Sequence, residues 1–68
     1  MRTLCLDLGN TRMKAALFDD GTLIHAAVLE NDGVDKTSEL ISTFRPQRSI
    51  LSSVVHHDPR LEELLMDL

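Results

Sequence analysis

The fold is decided by the stretch Leu4-Cys5-Leu6-Asp7-Leu8-Gly9-Asn10-Thr11-Arg12-Met13-Lys14-Ala15-Ala16-Leu17-Phe18. From Thr3 to Leu8, leucines alternate with polar or small residues, which is typical of a half-buried strand. After Gly9-Asn10-Thr11 the alternation resumes, and Arg12 and Lys14 fall on the face opposite the apolar residues. We therefore predict a β-hairpin whose tight turn has Asp7 on one side and Lys14 on the other.

This turn contains residue types that suit phosphate binding. Gly9 has no Cβ, so the backbone can take a positive φ and approach an anion, and successive amides can form an anion nest. Thr11 adds a hydroxyl group and Lys14 a cation. Asp7 would repel phosphate unless a cation lay between them, and Mg²⁺ typically binds one or two carboxylates together with phosphate oxygens. The alternative is an ordinary hairpin with surface charges, because short motifs often match by chance.

The segment Asp7-Leu8-Gly9-Asn10-Thr11-Arg12-Met13-Lys14 resembles the first phosphate motif, Asp-x-Gly-Asn-Thr-x-x-Lys, of the type III pantothenate kinases. These enzymes belong to the actin-like ATPase, acetate kinase and sugar kinase superfamily. Related sugar kinases usually carry Asp-x-Gly-Thr-Thr or Asp-x-Gly-Thr-Ser, so the pair Asn10-Thr11 followed by Lys14 favours the pantothenate branch. Ala15 to Gly21 and Ser52-Ser53-Val54-Val55 extend the resemblance over most of the chain.

The resemblance implies an enzyme that transfers the γ-phosphoryl group of ATP to pantothenate, in the first step of coenzyme A biosynthesis. A cytoplasmic location is expected from the sequence itself, since we find neither a signal peptide nor an apolar run long enough to span a membrane. Asp7 would bind Mg²⁺ through water, and the phosphates of ATP would lie among Gly9, Asn10, Thr11, Arg12 and Lys14. The role of Arg12 stays open between phosphate contact and an exposed strand charge. A monovalent cation (K⁺ or NH₄⁺) and a homodimer of the whole enzyme are also implied.

Several parts of such a kinase match no residue of this sequence. They are the catalytic aspartate base, the pantothenate contacts, the second phosphate motif, the adenosine pocket and the ligands of the monovalent cation. We therefore expect residues 1–68 to be a partial N-terminal nucleotide-phosphate-binding domain of a two-domain kinase, inactive by itself. Two other functions stay open: a non-catalytic, kinase-like transcriptional accessory protein, and a small interaction module that pairs through a sheet edge.

Composition argues against several other classes of protein. The 68 residues carry a formal net charge of −4 and no block of Lys or Arg, so a nucleic-acid partner is not expected. Two Phe with no Trp or Tyr give no platform for stacking bases. The single cysteine, Cys5, excludes an internal disulfide and fits a reducing compartment. Asp7 interrupts the early apolar stretch, so neither a signal peptide nor a membrane span is expected.

The rest of the first half predicts a second hairpin and a helix. Asp19-Asp20-Gly21 favours a tight primed turn, and Thr22 to Glu30 follows as a third strand with His25 facing solvent. A helix then begins with Asp32 or Asp35 as its N-cap and ends before Pro46. Its apolar stripe has the spacing of an amphipathic helix and consists of Thr37, Leu40, Ile41 and Phe44.

The last third predicts a strand and a second helix. Ser49 to Val55 reads as a buried fourth strand, parallel to its neighbour after a helical crossover. Ser52 and Ser53 are interpreted as small residues that allow close packing, with a place in the site as the less favoured alternative. His56 and His57 are expected to be exposed loop residues. Asp58-Pro59 begins a helix with the stripe Leu61, Leu64, Leu65 and Leu68.

The predicted fold class is α/β, with the element order β-β-β-α-β-α. Together with the resemblance, this order indicates a truncated ribonuclease H-like domain, of the actin-like ATPase kind, whose mixed sheet lacks the fifth strand. An uncovered edge invites pairing with another chain, so we expect self-association.

Overall fold

The computed structural model describes residues 1–9, 12–53 and 56–68. Its elements follow the predicted order, which is confirmed: β1 (Arg2–Leu8), β2 (Met13–Asp19), β3 (Thr22–Leu29), α1 (Val34–Phe44), β4 (Arg48–Ser53) and α2 (Pro59–Met66). The last two residues of the predicted fourth strand, Val54 and Val55, lie outside the described residues. The molecule is thus a small α/β protein with a mixed sheet and two helices.

The sheet has four strands in the order β3-β2-β1-β4. β1 pairs antiparallel with β2, and β2 antiparallel with β3, so both predicted hairpins are present. β4 returns through α1 to pair parallel with β1, as the strand–helix–strand pattern predicts. The prediction that it is buried is wrong, because β4 is an edge strand and most of its residues are exposed. β1 is therefore an inner strand, and Asp7 near its carboxyl end has a neighbouring strand on each side.

The core lies on one face of the sheet. Leu4, Leu6 and Leu8 are fully or almost fully buried there, because alternate side chains of β1 point to the same side. Burial of each leucine stabilises the fold by roughly 1.5–3 kcal/mol. Both helices pack on this leucine face, and the remaining buried members of the core are Ala15, Leu17, Leu29, Leu40 and Leu61.

The predicted turn between β2 and β3 is confirmed, whereas the predicted N-cap of α1 is wrong. Asp20 and Gly21 both have positive φ, 51° and 84°, as a primed hairpin turn requires. The N-cap of α1 is Gly33 rather than Asp32 or Asp35. Asp32 nevertheless accepts a hydrogen bond from the Val34 amide at 3.0 Å, so its carboxylate still satisfies one free donor at the helix start.

The second helix starts as predicted, and one arginine ties it to the first. The Asp58 carboxylate accepts hydrogen bonds from the amide and the guanidinium of Arg60, at 2.9 Å and 2.7–3.1 Å. Arg60 Nη2 also donates to Asp32 Oδ2 at 2.9 Å. Hydrogen bonds from Arg60 lower the pKa of Asp58 to about 2. Asp32, Asp58 and Arg60 therefore connect the starts of the two helices.

His25 is not solvent-facing, in contrast to the prediction. It pairs with the buried Leu17 across β2 and β3, and its side chain is half-buried. Its ring lies 5.0 Å from the ring of Phe44, at an interplanar angle of 34°. The histidine thus closes the end of the core beneath the last turn of α1, where an aromatic contact adds to packing.

In the described parts of the chain, neither helix has the length and apolar character that a bilayer crossing requires.

Candidate functional site

Asp7 and Lys14 face each other on the side of the sheet opposite the helices. They are direct partners in the register of β1 and β2, and both side chains are exposed. The Cβ atoms of such a pair lie about 4.5–5.5 Å apart. Neither side chain forms an ion pair with another described residue. A carboxylate and an ammonium group are therefore presented side by side and are available to a ligand.

The turn between them is closed by the backbone. The Gly9 amide donates to the Arg12 carbonyl at 3.1 Å. The two predicted phosphate ligands Asn10 and Thr11 lie outside the described residues. Arg12 itself is exposed. The structure thus brings the described residues Asp7, Gly9, Arg12 and Lys14 together at one end of the hairpin.

Gly9 serves a different purpose from the one predicted. The glycines with positive φ are Gly21 and Gly33, so Gly9 does not use the left-handed region. A Cβ at Gly9 would meet the Arg12 carbonyl oxygen at 3.2 Å, so glycine allows the two strands to approach closely. Because its amide already donates to Arg12, Gly9 has no main-chain donor left for a phosphate in this conformation.

Ser52 lies on the other side of Asp7. The parallel register of β1 and β4 pairs the two residues, and Ser52 is exposed. Its interpretation as a closely packed small residue is therefore wrong. The row Lys14, Asp7 and Ser52 crosses three strands on one face, and it offers a cation, a carboxylate and a hydroxyl group. Only the register of β4 against β1 reveals this neighbour, and the sequence predicts the parallel direction but not the register.

A shallow cavity of about 410 Å³ adjoins the pair on the same face. Asp7 and Lys14 line its polar end, and small residues form most of its floor: Cys5, Ala15, Ala16, Ala26, Ala27 and Val28. The two charged residues therefore share one open space, as a common ligand would require.

The described residues suit an open, partly hydrated Mg²⁺ ion rather than a closed metal site. Among residues 1–9, 12–53 and 56–68, no group of three or more His, Cys, Asp or Glu side chains is arranged to hold a metal. Mg²⁺ commonly keeps several waters and uses one or two carboxylates with substrate phosphate oxygens. Asp7 is a single carboxylate that forms no ion pair with the described residues, so it matches that mode of binding and no closed metal site.

His57 has contacts that its sequence context did not predict. Its Nδ1 lies 3.0 Å from Ser53 Oγ and its Nε2 lies 3.5 Å from Glu62 Oε1. The ring is mostly buried, so the prediction of an exposed loop histidine is wrong for His57, whereas His56 is exposed. Ser53, like Ser52, is exposed rather than closely packed. The contacts fasten the end of β4 to the first turn of α2, beside the candidate site.

Comparison with known proteins adds no assignment: no protein-family model, no curated protein and no solved structure matches the chain.

Proposed function

We propose that the chain is the nucleotide-phosphate-binding part of a type III pantothenate kinase, an enzyme that phosphorylates pantothenate with ATP. The observation that carries the proposal is the placement of Asp7 directly opposite Lys14, on one face and beside one cavity. The spacing Asp-x-Gly-Asn-Thr-x-x-Lys supports it, because the first and last residues of this motif are the pair that face each other across β1 and β2.

Each residue of the motif has a proposed task. Asp7 orients the waters of a bound Mg²⁺, and the Lys14 ammonium neutralises charge on the phosphates. Asn10 and Thr11, which follow Gly9 in the motif, supply amides and a hydroxyl group. Gly9 shapes the turn by admitting the Arg12 carbonyl, and the Arg12 side chain contributes positive charge at the rim. When bound, Mg²⁺ would be held by Asp7 and would supply positive charge against the phosphates.

The arrangement of the sheet also supports the kinase class. β-β-β-α-β-α is the order with which the actin-like ATPase fold opens, and here β1 is an inner strand with its polar end beside the turn. In open α/β sheets, ligands bind outside the carboxyl ends of strands. Asp7, next to last in β1, lies at such an end. Phosphoryl transfer relies on positioning and charge stabilisation, which this end of the hairpin can provide.

The test is binding of Mg·ATP to the 68-residue chain, measured by calorimetry with the variants Lys14→Ala and Asp7→Asn. We expect millimolar affinity for the unmodified chain, since the motif supplies only a few charge-assisted contacts. Lys14→Ala should weaken binding about tenfold, equivalent to about 1.4 kcal/mol. Asp7→Asn should make the affinity independent of Mg²⁺, because it removes the carboxylate that orients the metal's waters.

The matched control is Lys36→Ala, which removes a partly exposed lysine of α1 that pairs with Glu39 at 3.4 Å. It changes net charge as Lys14→Ala does but lies away from the hairpin turn. Equal affinities for the unmodified chain, Lys14→Ala and Asp7→Asn, with all three folded by circular dichroism, would overturn the proposal.

A further inference from the structure

One face of the sheet carries neither helix. We call this surface the open face. It has a central row of apolar or small side chains that crosses all four strands. The row follows from the pairing of Ala16 with both Cys5 and Ala26, and from the pairing of Cys5 with Ile50. A second row beside it holds Val28, Lys14, Asp7 and Ser52, in that order across the sheet.

The central row has a depression at one end and a protrusion at the other. Ala16, Ala26 and Cys5 are small and line the cavity of about 410 Å³. Ile50, on the opposite edge strand, is 60% exposed, so this large apolar side chain projects from that end of the row. The open face therefore presents a knob at Ile50 and a hole that extends from Cys5 to Ala26 on the same row.

The second row has an equally simple arrangement of charge. Lys14 on β2 and Asp7 on β1 lie on either side of the line between these two inner strands. A two-fold axis could run just above the open face, parallel to the strands and over that line. It would place β1 of a second copy over β2, and β2 of the second copy over β1. Lys14 would then face the second copy's Asp7, and Asp7 its Lys14. The same rotation would place Ile50 over the hole at Ala26.

We propose that the open face binds a second copy of this chain, in a symmetric face-to-face dimer about that axis. Symmetric interfaces need a self-complementary surface, and here both the charges and the knob and hole complement themselves under one rotation. A two-fold axis perpendicular to the strands would instead place Asp7 opposite Thr3 and Lys14 opposite Phe18, so neither charge would directly face an opposite charge. Sheets packed face to face with nearly aligned strands are a common arrangement.

The size of the face sets the expected strength. Four strands about 4.8 Å apart and three side-chain rows about 6.8 Å apart give roughly 400 Å² per copy. The total of about 800 Å² is below the standard size of stable interfaces, so we expect a dissociation constant on the order of 100 μM. The dimer needs no nucleotide to form, so its test is carried out without ligand and stands apart from that of the proposed function.

The test is sedimentation equilibrium of the 68-residue chain from about 10 μM to 1 mM, without Mg²⁺ or phosphate. The unmodified chain should show a monomer–dimer equilibrium. Asp7→Lys and Lys14→Asp should each weaken the dimer at least about tenfold, since like charges then face each other. An equimolar mixture of the two variants should recover the affinity, because each then offers the other opposite charges.

The apolar part of the interface has its own matched pair of variants. Ile50→Lys should abolish the dimer, whereas Met66→Lys should leave it unchanged. Met66 is 82% exposed and lies on α2, on the helix-covered side. Circular dichroism confirms that each variant is folded. A monomer at all concentrations would overturn the proposal. Association that the charge variants leave unchanged would also overturn it, and would point to pairing of strand edges. So would a mixture of Asp7→Lys and Lys14→Asp that associates no more tightly than either variant alone.

Discussion

At the scale of single residues, the buried hydroxyl group of Thr37 has a measurable effect on stability. Thr37 lies on the core side of α1 with 0% exposure, and its Oγ1 has no hydrogen-bond partner among the described residues. A buried polar group without a partner costs roughly 1–3 kcal/mol. The sequence predicted Thr37 as a member of the apolar stripe, and the structure confirms that it packs as one.

Thr37→Val should therefore raise the free energy of unfolding by about 1 kcal/mol, since valine has nearly the same shape and no hydroxyl group. In a domain of this size that corresponds to a rise in melting temperature of about 4–8 °C. Thr43→Val, at an exposed position of the same helix, is the control and should change stability by less than about 0.5 kcal/mol. A Thr37→Val chain no more stable than the control would contradict this account of the core.

Gly9 shows what sequence reasoning can and cannot predict about a residue of the site. The need for a residue without Cβ was foreseen, because a tight turn and an approaching anion both demand one. The structure instead gives the close approach of the Arg12 carbonyl as the reason, and it commits the Gly9 amide to that carbonyl. Both reasons select the same amino acid, so the sequence could not distinguish them.

At the scale of elements, local patterns predicted most of the structure. Alternation placed β1 and β2, and Asp58-Pro59 placed the start of α2, since each depends on neighbouring residues alone. The contacts of His57 with Ser53 and Glu62 were missed because they join a strand end to a helix. The exposure of Ser52 was missed for a similar reason, as it depends on what covers each face of the sheet.

The cap of α2 predicts a dependence of stability on pH. Hydrogen bonds from Arg60 lower the pKa of Asp58 from an ordinary 3.8 to about 2 in the folded chain. The contribution of this carboxylate to stability is therefore complete above about pH 4 and is lost as the pH falls towards 2. We expect the free energy of unfolding, measured with urea, to decrease over that pH interval. The decrease should be larger in the unmodified chain than in Asp58→Asn.

Asparagine is a good N-cap but has no carboxyl group to titrate, so Asp58→Asn separates capping from charge. Carboxyl carbon shifts followed by NMR would give the pKa of Asp58 directly. The account of the cap is wrong if Asp58 titrates at its ordinary pKa, or if both chains lose the same stability between pH 4 and pH 2.

At the scale of the whole molecule, the two faces of the sheet have different roles. The leucine face holds both helices and supplies the core, whereas the open face carries the charged pair, the cavity and Ile50. A second copy on the open face would cover the cavity that the proposed phosphate ligand needs. The two proposed uses of Asp7 and Lys14 therefore exclude each other, which links the state of association to the occupancy of the site.

Phosphate binding by the first hairpin can be tested by an NMR titration of the isotope-labelled chain with magnesium tripolyphosphate, at a protein concentration where the chain is monomeric. We expect the largest shifts at Asp7, Gly9, Arg12 and Lys14, at one end of that hairpin, and smaller shifts when Mg²⁺ is removed. Shifts that are absent there, or that centre instead on Arg60 between the two helices, would contradict the claim that this turn binds a nucleotide's phosphates.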